Sequence, residues 1–183
     1  MRSESSGQEQ YEAGSEADFE RLYRNTYRRI LGTLITLLGD PAAAEDCAQD
    51  TFERAYRNWS SWRPDAPVEA WLHRIAINVA VSDRRRYRLR QAGELVRRLG
   101  RPTPPSDPST LAEQSALLRS LRKLPTKQAA ALVLRHYHGY SNREIAAALG
   151  VPEATVASRL ATGRKHLQAT MAYARQEKMV DPA

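Results

Sequence analysis

Apolar residues recur at helical spacing from residue 16 to residue 38, at Phe19, Leu22, Tyr23, Tyr27, Ile30, Leu31, Leu34 and Leu38. The three- and four-residue steps put them on one side of a 3.6-residue helix, and Gly39, Asp40 and Pro41 then supply a stop. A second helix is predicted over 42–59, where Ala48, Phe52, Ala55 and Trp59 share a stripe. Residues 60–67 hold Pro64 and Pro67 close together and predict a loop of defined path. A third helix is predicted over 68–87, burying Leu72, Ile75, Ala76 and Val79 and leaving Arg74, Asn78 and Arg85 on its outer face. Between residues 100 and 110 stand Pro102, Pro104, Pro105 and Pro108, which favour a semi-extended spacer. Beyond it four more helices are predicted, over 111–124, 126–138, 141–149 and 152–170, punctuated by Pro125, Gly139 and Gly150. No segment alternates as a strand does. The expected fold is all-α, two small helical domains joined by a Pro-rich linker.

The last two of these segments have a specific local chemistry. Ser141 and Glu144 stand at capping-box spacing, so a helix starts at Ser141. Gly150 suits the left-handed turn that ends it, and Pro152 suits the first turn of the next helix. A helix, a tight turn and a helix follow from this. On the second of them Val156, Leu160, Gly163 and Leu167 fall inward, and Ala154, Ser158, Ala161, Thr162 and Lys165 face away, flanked by Arg159 and Arg164. That outer face is a candidate for the major groove, with the flanking guanidinium groups on phosphates. Gly163 inside a helix costs about 1 kcal/mol relative to Ala, so a packing or DNA-approach reason is expected for it.

Charge sharpens the picture. The 183 residues carry a formal net charge of +7, which attracts polyanions without choosing among them. Residues 116–168 hold nine Lys or Arg against two acids, a balance fitted to DNA. The second helix does the opposite, with Asp46, Gln49, Asp50 and Glu53 on its outer face. An acidic stripe repels DNA and is expected to meet a basic protein surface. Around the following loop Tyr56, Trp59, Trp62 and Trp71 gather beside Arg63, Arg74, Asn78 and the run Arg84, Arg85, Arg86. Aromatic rings beside cations suit unpaired bases, although Trp59 and Trp71 are expected to be core.

Other chemistries are poorly supported. Cys47 is the single cysteine, so neither an internal disulfide nor a cysteine-rich zinc site can be built. His73, His136, His138 and His166 are read as structural or surface residues, and His136 with His138 lacks a third ligand at metal-site spacing. Neither catalytic residues nor a metal or other cofactor is expected, and the chain is read as no enzyme. The first fourteen residues are polar and acidic, and no apolar run approaches the roughly 20 residues of a membrane span. A cytoplasmic protein with no membrane partner is expected.

Three stretches carry a resemblance to a known family. Residues 41–59, PAAAEDCAQDTFERAYRNW, resemble the polymerase-binding helix of the bacterial extracytoplasmic-function sigma factors, with agreement at Glu45, Asp46, Gln49, Asp50, Thr51, Phe52, Arg54, Ala55 and Tyr56. Residues 71–78, WLHRIAIN, resemble that family's W-L-x-R-I-A-x-N signature, with Asp83, Arg84, Arg85 and Arg86 following. Residues 124–159 are similar to its sigma-4 helix-turn-helix, and the likeness spans about residues 16–167.

The resemblance implies a sigma-2 domain over 15–92 and a sigma-4 domain over 116–172, joined by a linker over 93–115, with tails at 1–14 and 173–183. It implies docking on the two largest subunits of core RNA polymerase, the clamp helices of one receiving Glu45, Asp46, Gln49, Asp50, Phe52 and Glu53. It implies capture of single-stranded minus-ten DNA by Trp62, Arg63, Asp65, Arg74, Asn78, Arg84, Arg85 and Arg86. Duplex minus-thirty-five DNA would meet Arg143, Thr155, Ser158, Arg159, Thr162, Arg164 and Lys165. An anti-sigma factor that covers the polymerase-facing surfaces is a further implied partner. Ala157 stands where many relatives carry Lys or Arg, and Ala161, Thr162 and Gly163 replace a bulkier stretch. Fewer bidentate base contacts are then available, and readout partly by DNA shape is expected, with Ser158 and Arg159 as the main local contacts. The rival is a helix-turn-helix regulator that binds duplex operators without a sigma role.

Overall fold

The computed structural model describes residues 11–97 and 116–180, with side chains over 11–87 and 117–172. The helices among these residues are α1 (Glu16–Leu38), α2 (Pro41–Arg57), α3 (Val68–Arg97), α4 (Ala116–Lys123), α5 (Thr126–His136), α6 (Asn142–Leu149) and α7 (Glu153–Val180), and a short 3-10 turn, Trp59–Ser61, follows α2.

Local chemistry sets the helix ends. The Asp18 backbone N–H donates to Ser15 Oγ at 3.3 Å, and Glu16 and Asp18 sit at the positive end of the α1 dipole. Gly39 ends α1 with φ of 85° and donates its N–H to the Ile35 carbonyl at 2.9 Å, a conformation that strains any residue with a Cβ. One residue on, Asp40 caps α2, accepting from the N–H groups of Ala42 and Ala43, while Pro41 fills the first turn where no N–H partner is needed. The turn between α1 and α2 is therefore only two residues long, and it folds the two helices back against each other.

Helices α1, α2 and α3 enclose the first core. Leu22, Ile30 and Leu34 from α1 meet Ala44, Ala48 and Ala55 from α2 and Leu72, Ala76 and Val79 from α3, all at most 1% exposed. Each buried leucine or isoleucine contributes about 1.5–3 kcal/mol, and the alanines let α2 approach closely. Ile75, expected in this stripe, is only partly buried. A second core is built from Leu121, Leu124, Leu132, Leu134, Ile145, Val156 and Leu160, and it also takes in Leu37 of α1 and Ala70 and Ile77 of α3. The two halves thus pack on each other, chiefly through α3 against α6.

Four expectations change. The predicted 42–59 helix is α2 plus the 3-10 turn, because Asn58 leaves the helical region and its side chain takes the Arg54 carbonyl. Helix α3 passes the expected end at residue 87 and runs to Arg97, and α7 passes residue 170 and runs to Val180, into what reads as a tail. The first continuation holds three Arg and two Leu with Gln, Ala and Glu, and the second two Met and two Ala with Arg, Gln, Glu and Lys, all good helix formers. At the other end, Tyr11 packs against the first core and its ring lies 4.6 Å from the Arg21 guanidinium carbon, so the expected loose tail is already ordered there. The start expected at residue 111, the spacer prolines and the bulk of the 93–115 linker lie outside the described residues. No helix among the described residues is long and apolar enough to cross a membrane.

Candidate polymerase and nucleic-acid surfaces

Helices α1 and α2 leave an open groove of about 490 Å³ lined by Tyr23, Tyr27, Glu45, Asp46, Gln49, Phe52 and Glu53. Its floor is aromatic: Phe52 is buried, with Tyr23 edge-on at 4.8 Å and Tyr27 at 5.8 Å between ring centroids. Its rim is acidic. Glu45 and Asp46 are exposed and form no ion pair with another described residue, whereas Asp50 is held by a bidentate contact from Arg54 at 2.7 and 2.9 Å and Glu53 by Arg57 at 3.2 Å. The i,i+4 arginines screen the C-terminal half of the stripe, so its negative potential is concentrated at Glu45 and Asp46. Cys47 lies beneath this stripe, its thiol pushed up to about 11 by burial and by the carboxylates of Asp83 and Asp50. A thiol in that state is inert.

Beside the groove, the loop after α2 is fixed by tryptophans. Trp59 and Trp62 are buried and stacked, with ring centroids 5.4 Å apart and planes 12° apart, and Trp71 tilts against Trp59 at 6.0 Å. Trp59 also donates its Nε1–H to the Ser15 carbonyl at 2.7 Å, anchoring the loop to the start of α1. Trp59 is core, as the sequence suggests, and Trp62 is also buried, 9% exposed and stacked on Trp59. Arg63, Pro64 and Asp65 are exposed at the loop tip, and Arg74, Asn78, Arg85 and Arg86 are exposed along α3. Arg84 is half-buried and turned toward the second half, donating to the Arg122 carbonyl at 2.7 Å and to Thr126 Oγ1 at 3.3 Å.

In the second half the helix-turn-helix is formed by α6 and α7. The Ser141 capping box is complete: the Glu144 N–H donates to Ser141 Oγ at 3.3 Å and the Ser141 N–H donates to the Glu144 carboxylate at 2.8 Å. Gly150 takes φ of 62° between the helices. Val156, Leu160 and Gly163 are buried, Leu167 is half-buried, and Ser158, Ala161, Arg164 and Lys165 are exposed with Thr155 and Thr162 at the edge. Gly163 has a packing reason, since a Cβ there would stand 3.2 Å from Leu132 Cδ1 where α7 crosses α5. Arg143 is exposed at the start of α6, and Arg159 is half-buried with an Nη1 that has no hydrogen-bond partner among the described residues.

Comparison with known proteins decides what these surfaces belong to. The model of Sigma-70 region 2 matches residues 22–90 and that of Sigma-70 region 4 matches residues 114–167. The chain is 34% identical over 164 residues to the ECF RNA polymerase sigma factor SigM of Mycobacterium tuberculosis, covering 88% of this chain and 81% of that one. The chain belongs to the ECF sigma factors of the sigma-70 family. The RNA polymerase sigma-E factor of Streptomyces coelicolor is 32% identical over 149 residues, covering 80% and 82% of the two chains. Among solved structures, CnrH in complex with the cytosolic domain of CnrY superposes with a TM-score of 0.64 at 28% identity over 87% of this chain and 91% of that one. The sigma factor RpoE in complex with the anti-sigma factor NepR, from Bartonella quintana, shares the fold with a TM-score of 0.61 at 23% identity over 85% and 97% of the chains.

As a sigma factor the protein binds core polymerase and directs promoter-specific transcription initiation, a role whose family is not a class of enzymes. Two features of this sigma factor escape a reading of its sequence. Tyr23 and Tyr27 line the acidic groove, but their helical spacing assigns them to the core stripe, and only the crossing of α1 and α2 turns them outward. His73 of the first half meets His138 and Tyr140 of the second, with the His73 and His138 rings 4.5 Å apart. No local pattern announces that meeting.

Proposed function

We propose that the groove between α1 and α2 is the polymerase-docking surface of this sigma factor, with Glu45, Asp46, Gln49, Asp50 and Glu53 facing a basic helical surface of the largest subunit. In this reading Phe52 supports the aromatic floor from below. The observation that carries the reading is an acidic groove with an aromatic floor on a protein of net charge +7. Such a surface is matched to protein rather than to DNA.

The remaining assignments follow the same division of charge. Residues 15–92 act as the sigma-2 domain, with Arg63 and Asp65 at the loop tip and Arg74, Asn78, Arg84, Arg85 and Arg86 on α3 handling opened minus-ten DNA. Trp62 shapes that loop by stacking on Trp59. Residues 116–172 act as the sigma-4 domain, placing α7 in the minus-thirty-five duplex with Ser158 and Arg159 as its main base-proximal contacts and Arg143, Thr155, Thr162, Arg164 and Lys165 around them. The protein works inside the cell, beside its polymerase. An anti-sigma factor that covers the groove is a further partner; the complexes of CnrH with CnrY and of RpoE with NepR support it.

Run-off transcription with purified core polymerase tests these roles. Arg85→Ala with Arg86→Ala is expected to lose most activity on a duplex promoter and to recover on a template already opened around the start site. Arg159→Ala is expected to lose activity on both. If Arg159→Ala initiates at the wild-type rate from promoters that need the upstream element, its assignment is wrong. Binding of the chain to duplex operators with no gain from polymerase would favour the regulator reading instead.

A further inference from the structure

A compact chain of 183 residues has a radius of gyration of about 16 Å, whereas DNA elements centred near minus ten and minus thirty-five lie about 85 Å apart along the duplex at 3.4 Å per base pair. The packed arrangement of the two halves therefore cannot contact both elements, and it must open before the protein does its work. Besides the apolar contacts of Leu37, Ala70 and Ile77, a polar knot joins α1, α3 and the segment between α5 and α6, buried at His73 and Tyr140, half-buried at His138 and exposed at Arg29. We propose that His73, His138, Tyr140, Thr33 and Arg29 form a latch that keeps the two halves closed while both histidines are neutral, and that a proton on either ring releases it. The proposal rests on the sigma reading only for the need to open.

The hydrogen bonds fix the tautomers. Thr33 donates its hydroxyl proton to the Arg29 carbonyl at 2.9 Å, so at 2.7 Å from the same oxygen His138 Nε2 must be the donor. The other nitrogen, Nδ1, then accepts from Arg29 Nη2 at 3.3 Å. His73 donates Nδ1–H to the Glu69 carbonyl at 2.8 Å, with the Tyr140 hydroxyl beside it at 3.2 Å, which leaves Nε2 unprotonated and 3.5 Å from Thr33 Oγ1. A second proton on His138 would point at the Arg29 guanidinium. A second proton on His73 would have only the Thr33 oxygen, 3.5 Å away and shared with His138, to replace the water that a ring 1% exposed has lost. Neutral rings fit this knot and charged rings do not.

The groups facing the knot from each packed element are Arg29 from α1, His73 and Glu69 from α3, His138 and Tyr140 from the connecting segment, and Glu144 from α6. Burial, the neighbouring ring and Arg29 hold His73 down to about 3, and burial with Arg29 holds His138 down to about 4. Once the halves part, both rings regain water and their ordinary value near 6.5. The open form then binds more protons below 6.5. Closure is at full strength above that pH and weakens as pH falls from 6.5 toward 4, by up to about tenfold in the open-to-closed ratio per histidine per pH unit.

The latch also engages groups that the open protein needs. The Arg74 guanidinium lies over the turn of the helix-turn-helix, where a Cβ at Gly150 would stand 3.1 Å from Arg74 Nη2, and Arg84 is occupied by Arg122 and Thr126. Opening frees both arginines.

The test uses the full chain with Cys47→Ala and donor and acceptor dyes at Arg24→Cys and Gln168→Cys, two exposed positions, one in each half. Energy transfer at pH 7.5 is expected to report one closed population. Between pH 7.5 and 5.5 the open fraction is expected to rise at least tenfold while far-ultraviolet circular dichroism holds steady. His138→Arg, permanently charged beside Arg29, is expected to be open at pH 7.5, and Thr33→Val, which removes the shared oxygen, to open partially with its helices intact. Halves that are apart at pH 7.5 in the wild type, or that stay closed at pH 5.5 and in His138→Arg, overturn the latch. Failure of an opened variant to support transcription would instead count against the sigma assignments, because energy transfer needs neither DNA nor polymerase.

Discussion

Charge reversal at the groove separates docking from folding. Glu45 and Asp46 are exposed, sit on the outer face of α2 and make no ion pair with another described residue, so Glu45→Lys with Asp46→Lys breaks no ion pair among the described residues. The melting temperature of the double variant should stay within a degree or two of wild type. Against a basic partner each substitution turns an attraction into a repulsion. An exposed pair is worth about 0.2–1 kcal/mol, so two reversals together weaken docking by about 1–3 kcal/mol, or about 5- to 150-fold. Ionic strength adds a second signature, because the screening length falls from about 10 Å at 0.1 M salt to about 3 Å at 1 M. The deficit should therefore shrink as salt is raised. Titration of labelled protein with core polymerase at several salt concentrations measures both, with Glu20→Lys, exposed on α1 and outside the groove, as the control. Wild-type affinity at low salt for the double variant would refute the docking argument, as would an equal loss in Glu20→Lys.

Three further outcomes follow from the packing. Ser141→Ala removes the oxygen that caps α6 and leaves the Glu144 N–H unpaired, costing about 1 kcal/mol and lowering the melting temperature by a few degrees. Leu34→Ala, at a fully buried position in the first core, should cost about 2–5 kcal/mol in denaturant unfolding, and a loss below 1 kcal/mol would mean that the core can refill the space. Cys47, raised to about 11 in the fold against an ordinary value near 9, should resist alkylation at pH 8 until denaturant is added. Its contribution to stability is fully present below pH 9 and is lost as pH rises from 9 toward 11, because the unfolded thiol ionises first.

Much of this molecule is decided by its linear pattern. Helical spacing places Leu22, Ile30, Leu34, Leu72 and Val79 inside, and the caps at Ser15, Asp40 and Ser141 start helices where their side chains can satisfy free backbone N–H groups. The acidic stripe and the basic second half are visible in the same way, since residues three, four and seven apart share a face whatever the helix packs against. Those are local rules, and they also give the family resemblance its motifs.

Only the tertiary structure could decide the rest. That Trp62 stacks on Trp59 depends on how the loop is pinned to the start of α1. Gly163 reads as a cost until α5 crosses beside it and fills the space a Cβ would need. The knot joins His73 to His138 and Tyr140, 65 and 67 positions further along the chain, through groups whose protonation is set by desolvation and by Arg29. Spacing along a chain carries information about one helix face, whereas desolvation and contact across a domain boundary exist only once the two surfaces have met.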